Sequence, residues 1–132
     1  MNPENTKKLF EKYPKLFPKE DRKYPRQSLM CFGFECGDGW FSLIGRLCAN
    51  IQNRIDKEKN PKYPQARVMQ VKEKFGGLRF YIDGASDAKI FDIIRKAEDD
   101  SYKTCESCGK KGELIRLNGR HATRCKTCAK KA

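Results

Sequence analysis

Histidine is almost missing from this chain, where His121 is the one copy. A single histidine argues against the metallonucleases built on several, and no Ser/His/Asp catalytic set is evident around it. No glycine-rich phosphate loop occurs either. Long apolar runs are absent as well: mean hydropathy is −0.83, and nothing approaches the length of a membrane span. The opening residues MNPENTKKLFEKYPKLF lack the apolar centre of a signal peptide, so the expectation is a cytoplasmic protein with no membrane partner. Internal repeats and low-complexity tracts are missing too, and no feature points to a small-molecule substrate.

What is plentiful is charge. Charged residues make up 35% of the chain, and the formal net charge is +12. The excess lies at the two ends: residues 103–132 hold nine Lys and Arg against two Glu, whereas residues 67–102 hold seven of each sign. A field of this kind favours nucleic acid or an acidic protein as partner and says nothing about fold.

Seven cysteines are present, four of them as Cys105-x2-Cys108 and Cys125-x2-Cys128 with 16 residues between the pairs. In a reducing compartment that spacing reads as one structural zinc site and not as a disulfide framework. Each CxxC turn directs two sulfurs to a point, and two such turns complete a tetrahedron around Zn²⁺. Four thiolates close the shell, so the metal holds structure and does not activate water. Asn118-Gly119 marks a hairpin turn between the pairs. The order of knuckle, hairpin and second CxxC is similar to a treble-clef or zinc-ribbon finger over residues 103–132. Cys31, Cys36 and Cys48 are irregularly spaced and read as buried thiols. His121 reads as a surface or contact residue.

Upstream, residues 4–13 are expected to form a short helix burying Leu9, Phe10 and Tyr13, within a basic arm over 1–30 that prolines leave partly extended. An α+β core is expected over 31–102. Trp40, Leu43, Ile44, Leu47, Cys48, Ile51 and Ile55 form one apolar stripe, giving a helix that ends near Lys59, with Asp38 as its cap. Residues 67–75 and 78–83 read as antiparallel strands around a Gly76-Gly77 turn, and Ser86 as the N-cap of a second amphipathic helix through Ile90, Phe91, Ile94 and Ala97. The whole is a small antiparallel sheet packed with two helices, plus a Cys₄ finger.

Lys110, Lys111, Arg116, Arg120, Arg124 and Lys126 are candidate phosphate contacts, or counter-charges that keep the thiolate module soluble. On the second strand Arg79 and Tyr81, beside Lys72 and Lys74, form either a stacking and phosphate surface or ordinary edge residues. Glu35 and Asp38, with Gln70-Val-Lys72, faintly echo a restriction-type nuclease, but a long helix separates them and the expectation is a non-enzyme.

Gly33-Phe-Glu-Cys-Gly-Asp-Gly-Trp-Phe41, Leu47-Cys48 and Val71-Lys-Glu-Lys-Phe-Gly-Gly-Leu-Arg-Phe-Tyr81, followed by the cysteine module, resemble an uncharacterised family of small bacteriophage and bacterial proteins. The resemblance runs over about residues 7–128. It implies a phage or prophage setting, in which counter-defence or host takeover would act through a host protein that handles nucleic acid. It supplies no catalytic residues.

Overall fold

The computed structural model describes residues 1–58, 65–85 and 87–132. Its longest helix, α2 (Phe41–Glu58), grows out of a 3₁₀ turn at Asp38–Trp40. Trp40, Leu43, Ile44, Leu47, Cys48 and Ile51 are all buried, because residues three and four apart share one side of the helix. Each buried Leu or Ile contributes roughly 1.5–3 kcal/mol. The expected end near Lys59 lies outside the described residues.

Three strands form the main sheet: β1 (Phe34–Glu35), β2 (Arg67–Lys74) and β3 (Gly77–Asp83), in the order β1-β2-β3. β2 and β3 pair antiparallel, while β1 pairs parallel with β2. Parallel neighbours need a long crossover, and α2 lies within it. β1 was not expected, since two residues carry no periodic signal. The β2–β3 turn also sits one residue earlier than expected. Phe75 and Gly76 form it, both with positive φ, and Gly77 is the first residue of β3.

Alternation along β2 and β3 sorts the two faces. Val71, Leu78 and Phe80 point inward and are buried, with helix α3 (Ala88–Ser101) packed against β3 and α2. Ile90, Ile94 and Ala97 of α3 are buried as its spacing requires, but Phe91 is 40% exposed. The N-cap of α3 is Asp87, whose carboxylate accepts the Lys89 N–H at 3.0 Å. The expected cap, Ser86, lies outside the described residues.

The N-terminal arm is not extended. Helix α1 (Pro3–Lys12) starts at Asn2, which caps the Asn5 N–H, and Pro3 opens the first turn. Leu9, Tyr13, Leu16 and Phe17 belong to the same buried cluster as α2 and the sheet, while Phe10 is only partly buried against it. Leu16 O takes the Val68 N–H at 2.9 Å, and the buried Asp21 carboxylate takes the Arg67 guanidinium at 2.9 Å. Prolines broke the helix, yet the apolar residues between them still had to be buried.

Asp38 does not cap α2. Its carboxylate accepts the Asn2 backbone N–H at 2.8 Å and the Asn5 side-chain amide at 3.1 Å. These hydrogen bonds, that from the Asn2 backbone first, hold its pKa below the usual value. The residue ties α1 to the start of α2.

Candidate metal centre

Residues 103–132 fold as the cysteine spacing requires. Cys105 and Cys108 lie on a tight loop closed by Gly109 N–H to Cys105 O at 2.8 Å and Cys105 N–H to Lys110 O at 2.7 Å. Strands β4 (Glu113–Leu117) and β5 (Arg120–Arg124) form a hairpin that turns at Asn118-Gly119, both with positive φ. Cys125 then caps helix α4 (Lys126–Lys131), accepting the Cys128 N–H at 3.4 Å. Knuckle, hairpin and short helix are treble-clef-like.

The four sulfurs converge. Those of Cys105, Cys108, Cys125 and Cys128 all lie within 4.8 Å of one another, with Cys108 and Cys125 at 3.6 Å. A tetrahedral shell at about 2.3 Å from a metal sets its sulfurs about 3.8 Å apart, so the donor set and its spacing fit one metal ion. Cys105 is fully buried. Burial opposes its ionisation, but the N–H groups of Cys125, Cys108 and Ser107 outweigh it and bring the thiol down to about 6. Cys128 is pushed up to about 12, chiefly through its hydrogen bond to Cys125.

Among the described residues the other cysteines build no second cluster. Cys36 and Cys48 are buried and Cys31 is half-buried; burial pushes the Cys36 thiol up to about 12 and Cys48 higher still. Glu35 and Asp38 join no metal-ligating group either, and Asp38 is engaged by the two asparagines. His121 is exposed on β5, opposite Arg116.

The knuckle is seated on the core by groups that sequence reasoning missed. Glu106 O accepts the Gly39 N–H at 2.8 Å, Glu106 Oε2 accepts the Gly37 N–H at 2.8 Å, and Thr104 O accepts the Trp40 indole N–H at 2.9 Å. A Cβ on Gly39 would stand 2.2 Å from Cys105 O, and one on Gly37 would stand 2.4 Å from Glu106 O. The Gly37-Asp38-Gly39 turn is glycine-flanked because the backbone of the metal loop lies directly on it. A second seat is the β2–β3 turn, where the buried Thr123 hydroxyl donates to Gly76 O at 2.6 Å. Both strings singled out in the sequence thus meet the finger. Their glycine density, with no ligand chemistry beside it, was the available signal for close backbone approach.

The expected binding residues divide into three groups. Lys110, Lys111, Arg116, Arg120 and Lys126 are exposed, and none forms an ion pair among the described residues. Arg124 differs: its side chain is half-buried and its guanidinium is bonded to Glu106 Oε1 at 3.1 Å, bracing the knuckle. Lys72, Lys74, Arg79 and Tyr81 lie on the face of the β2–β3 hairpin opposite to that of Val71 and Phe80, where Tyr102, the C-cap residue of α3, covers Gly77. Lys72 stands directly opposite Arg79, and Tyr81 opposite Gln70.

The fold and site define an α+β chain whose C-terminal Cys₄ cluster can hold one metal ion. Comparison with known proteins found no matching family model, no matching curated protein and no matching solved structure. No described helix is long and apolar enough to cross a membrane.

Proposed function

We propose that this protein is a non-catalytic, cytoplasmic zinc protein that binds nucleic acid through the cations of its finger and hairpin. Zinc is the metal of choice because four thiolates in a tetrahedral array are a soft, closed shell suited to it. The observation that carries the binding reading is the unbalanced charge of the finger. Of its nine Lys and Arg, only Arg124 forms an ion pair among the described residues, and the other eight are exposed. Two net negative charges at a zinc-thiolate centre do not call for eight surface cations, whereas a phosphate backbone does.

The test is a salt titration of binding to labelled DNA and RNA. Replacing Arg116 and Arg120 by Ala should weaken binding and lower the salt slope by about 0.9 per lost phosphate contact. An unchanged affinity and slope would remove the finger from the interface.

A second reading is favoured by the 3₁₀ turn at Leu29–Phe32, where Leu29 and Phe32 are 37% and 59% exposed. Exposed apolar side chains of this kind suit a protein partner. In the phage setting that the family resemblance implies, that partner is an acidic host protein that handles nucleic acid and is blocked by this one. A pull-down from nuclease-treated extract separates the readings. One stoichiometric protein that survives nuclease supports interference, and material lost on treatment supports nucleic acid.

A further inference from the structure

The outer face of the β2–β3 hairpin carries an arrangement that the metal centre does not use, and the core reaches it through Tyr102, the C-cap residue of α3, which covers Gly77. Arg79 lies opposite Lys72, Tyr81 opposite Gln70 and Gly77 opposite Lys74. At about 3.4 Å per residue, the row from Gln70 to Lys74 is about 14 Å long, and it ends at Phe75 in the turn. Along it an exposed ring, Tyr81 at 44%, is followed by two opposed cations, a third cation, and a second exposed ring, Phe75 at 65%. Like charges directly opposite on a sheet repel. Among the described residues Arg79 bonds neutral groups, Leu78 O and the Tyr102 hydroxyl. Glu35 is the register neighbour of Lys72 on β1, yet neither cation forms an ion pair among the described residues.

Phe75 gives this face its meaning. The molecule makes the same two-residue turn twice, with φ of 52° and 80° at Asn118-Gly119 and 54° and 87° at Phe75-Gly76. Asn tolerates the left-handed first position, whereas a bulky ring there is an outlier. Burial does not compensate for it, because the ring stands in solvent with Lys74 Nζ 5.7 Å from its centroid. The turn beneath is pinned from both sides: Glu73 Oε2 accepts the Gly76 N–H at 2.7 Å, and Thr123 Oγ1 donates to Gly76 O. A strained, firmly mounted, exposed ring at the end of a row of cations is what stacking on an unpaired base requires.

We infer that this face, from Tyr81 to Phe75, binds a single-stranded polynucleotide. Tyr81 and Phe75 stack on unpaired bases, and Lys72, Lys74 and Arg79 neutralise the phosphates between them, over about two or three nucleotides. The inference rests on the nucleic-acid reading above and adds that the strand is unpaired. A duplex keeps its bases stacked on one another and offers Phe75 no ring to meet.

The experiment uses the intact, metal-loaded protein with three probes: labelled oligothymidylate, labelled oligouridylate and a labelled duplex of equal length, at fixed salt. Phe75→Ala should weaken binding to both single strands about tenfold or more, with duplex affinity changed less than about twofold. Phe75→Trp should retain single-strand binding. Phe75→Asn should raise the melting temperature, because the left-handed turn is relieved, and still lose single-strand affinity as Phe75→Ala does. That opposition separates a binding role from a folding defect.

Unchanged single-strand affinity in Phe75→Ala and Phe75→Asn overturns the inference while leaving binding through the finger intact. Equal losses on single strand and duplex overturn it as well. Failure of the wild-type protein to bind any probe at low salt overturns the nucleic-acid reading itself. If Phe75→Asn keeps its oligonucleotide affinity but no longer captures a protein from nuclease-treated extract, the ring belongs to a protein interface and the inference is wrong.

Discussion

Gly39 has no room for a methyl group. A Cβ there would meet Cys105 O at 2.2 Å and the Glu106 carbonyl carbon at 2.5 Å, and both neighbours are backbone. Gly39→Ala must therefore push the metal loop off its seat, and a cost of about 3 kcal/mol is expected in urea denaturation, with weaker metal retention. Gly119→Ala is the control. It has φ +80° but nothing within 4 Å, so it should cost about 1–2 kcal/mol and leave the metal undisturbed. The four cysteines were legible in the sequence because ligand spacing is local and each CxxC declares its own turn. Gly37 and Gly39 were not legible as a seat, because the reason for a glycine lay in a loop nearly 70 residues away. The ion pair of Arg124 was hidden for the same cause. Its fixed charge was visible in the sequence, but not the buried Glu106 that takes it.

At the level of elements, periodicity carried most of the reading. The stripe of α2 and the alternation of β3 were plain, because each side of those elements meets one environment along its length. Two-residue β1 and the fold of the proline-broken arm were not, since their order comes from tertiary contacts such as Leu16 O with Val68 N–H. The start of α3 offers a test of how one element is fixed to another. Asp87 caps Lys89 and also binds Arg54 of α2 at 2.5 Å. The Arg54 hydrogen bond first, then the Lys89 N–H, hold its pKa below the ordinary carboxylate value of 3.8. A depressed carboxylate stabilises the fold above its unfolded pKa, and that contribution is lost as pH falls through the folded value. Asp87→Ala should lower the melting temperature by roughly 3–5 °C at neutral pH. Asp87→Asn keeps the cap and loses only the ion pair, so it should lose less. The advantage of wild type over Asp87→Asn should fade as pH drops below 3.8. A gap between the two that persists at low pH would assign the effect to packing.

For the molecule as a whole, the finger and the core are joined through shared seats. Trp40 illustrates this: it is buried among the residues of α2 and donates its indole N–H to Thr104 O beside the first metal-site cysteine. As the chain's only tryptophan, it is also a built-in probe. Chelation should shift its fluorescence towards that of a hydrated indole and lower the melting temperature by about 10 °C or more, because metal binding energy is folding energy for a tail with little core of its own. Unchanged fluorescence under chelation would mean that the finger stays seated without metal. As proposed above, one zinc ion held by Cys105, Cys108, Cys125 and Cys128 organises residues 103–132 on this seat. Elemental analysis of the purified, folded protein should find one zinc per chain and a sharp loss in Cys108→Ser, whereas a folded protein carrying no stoichiometric metal would show that residues 103–132 are organised without one.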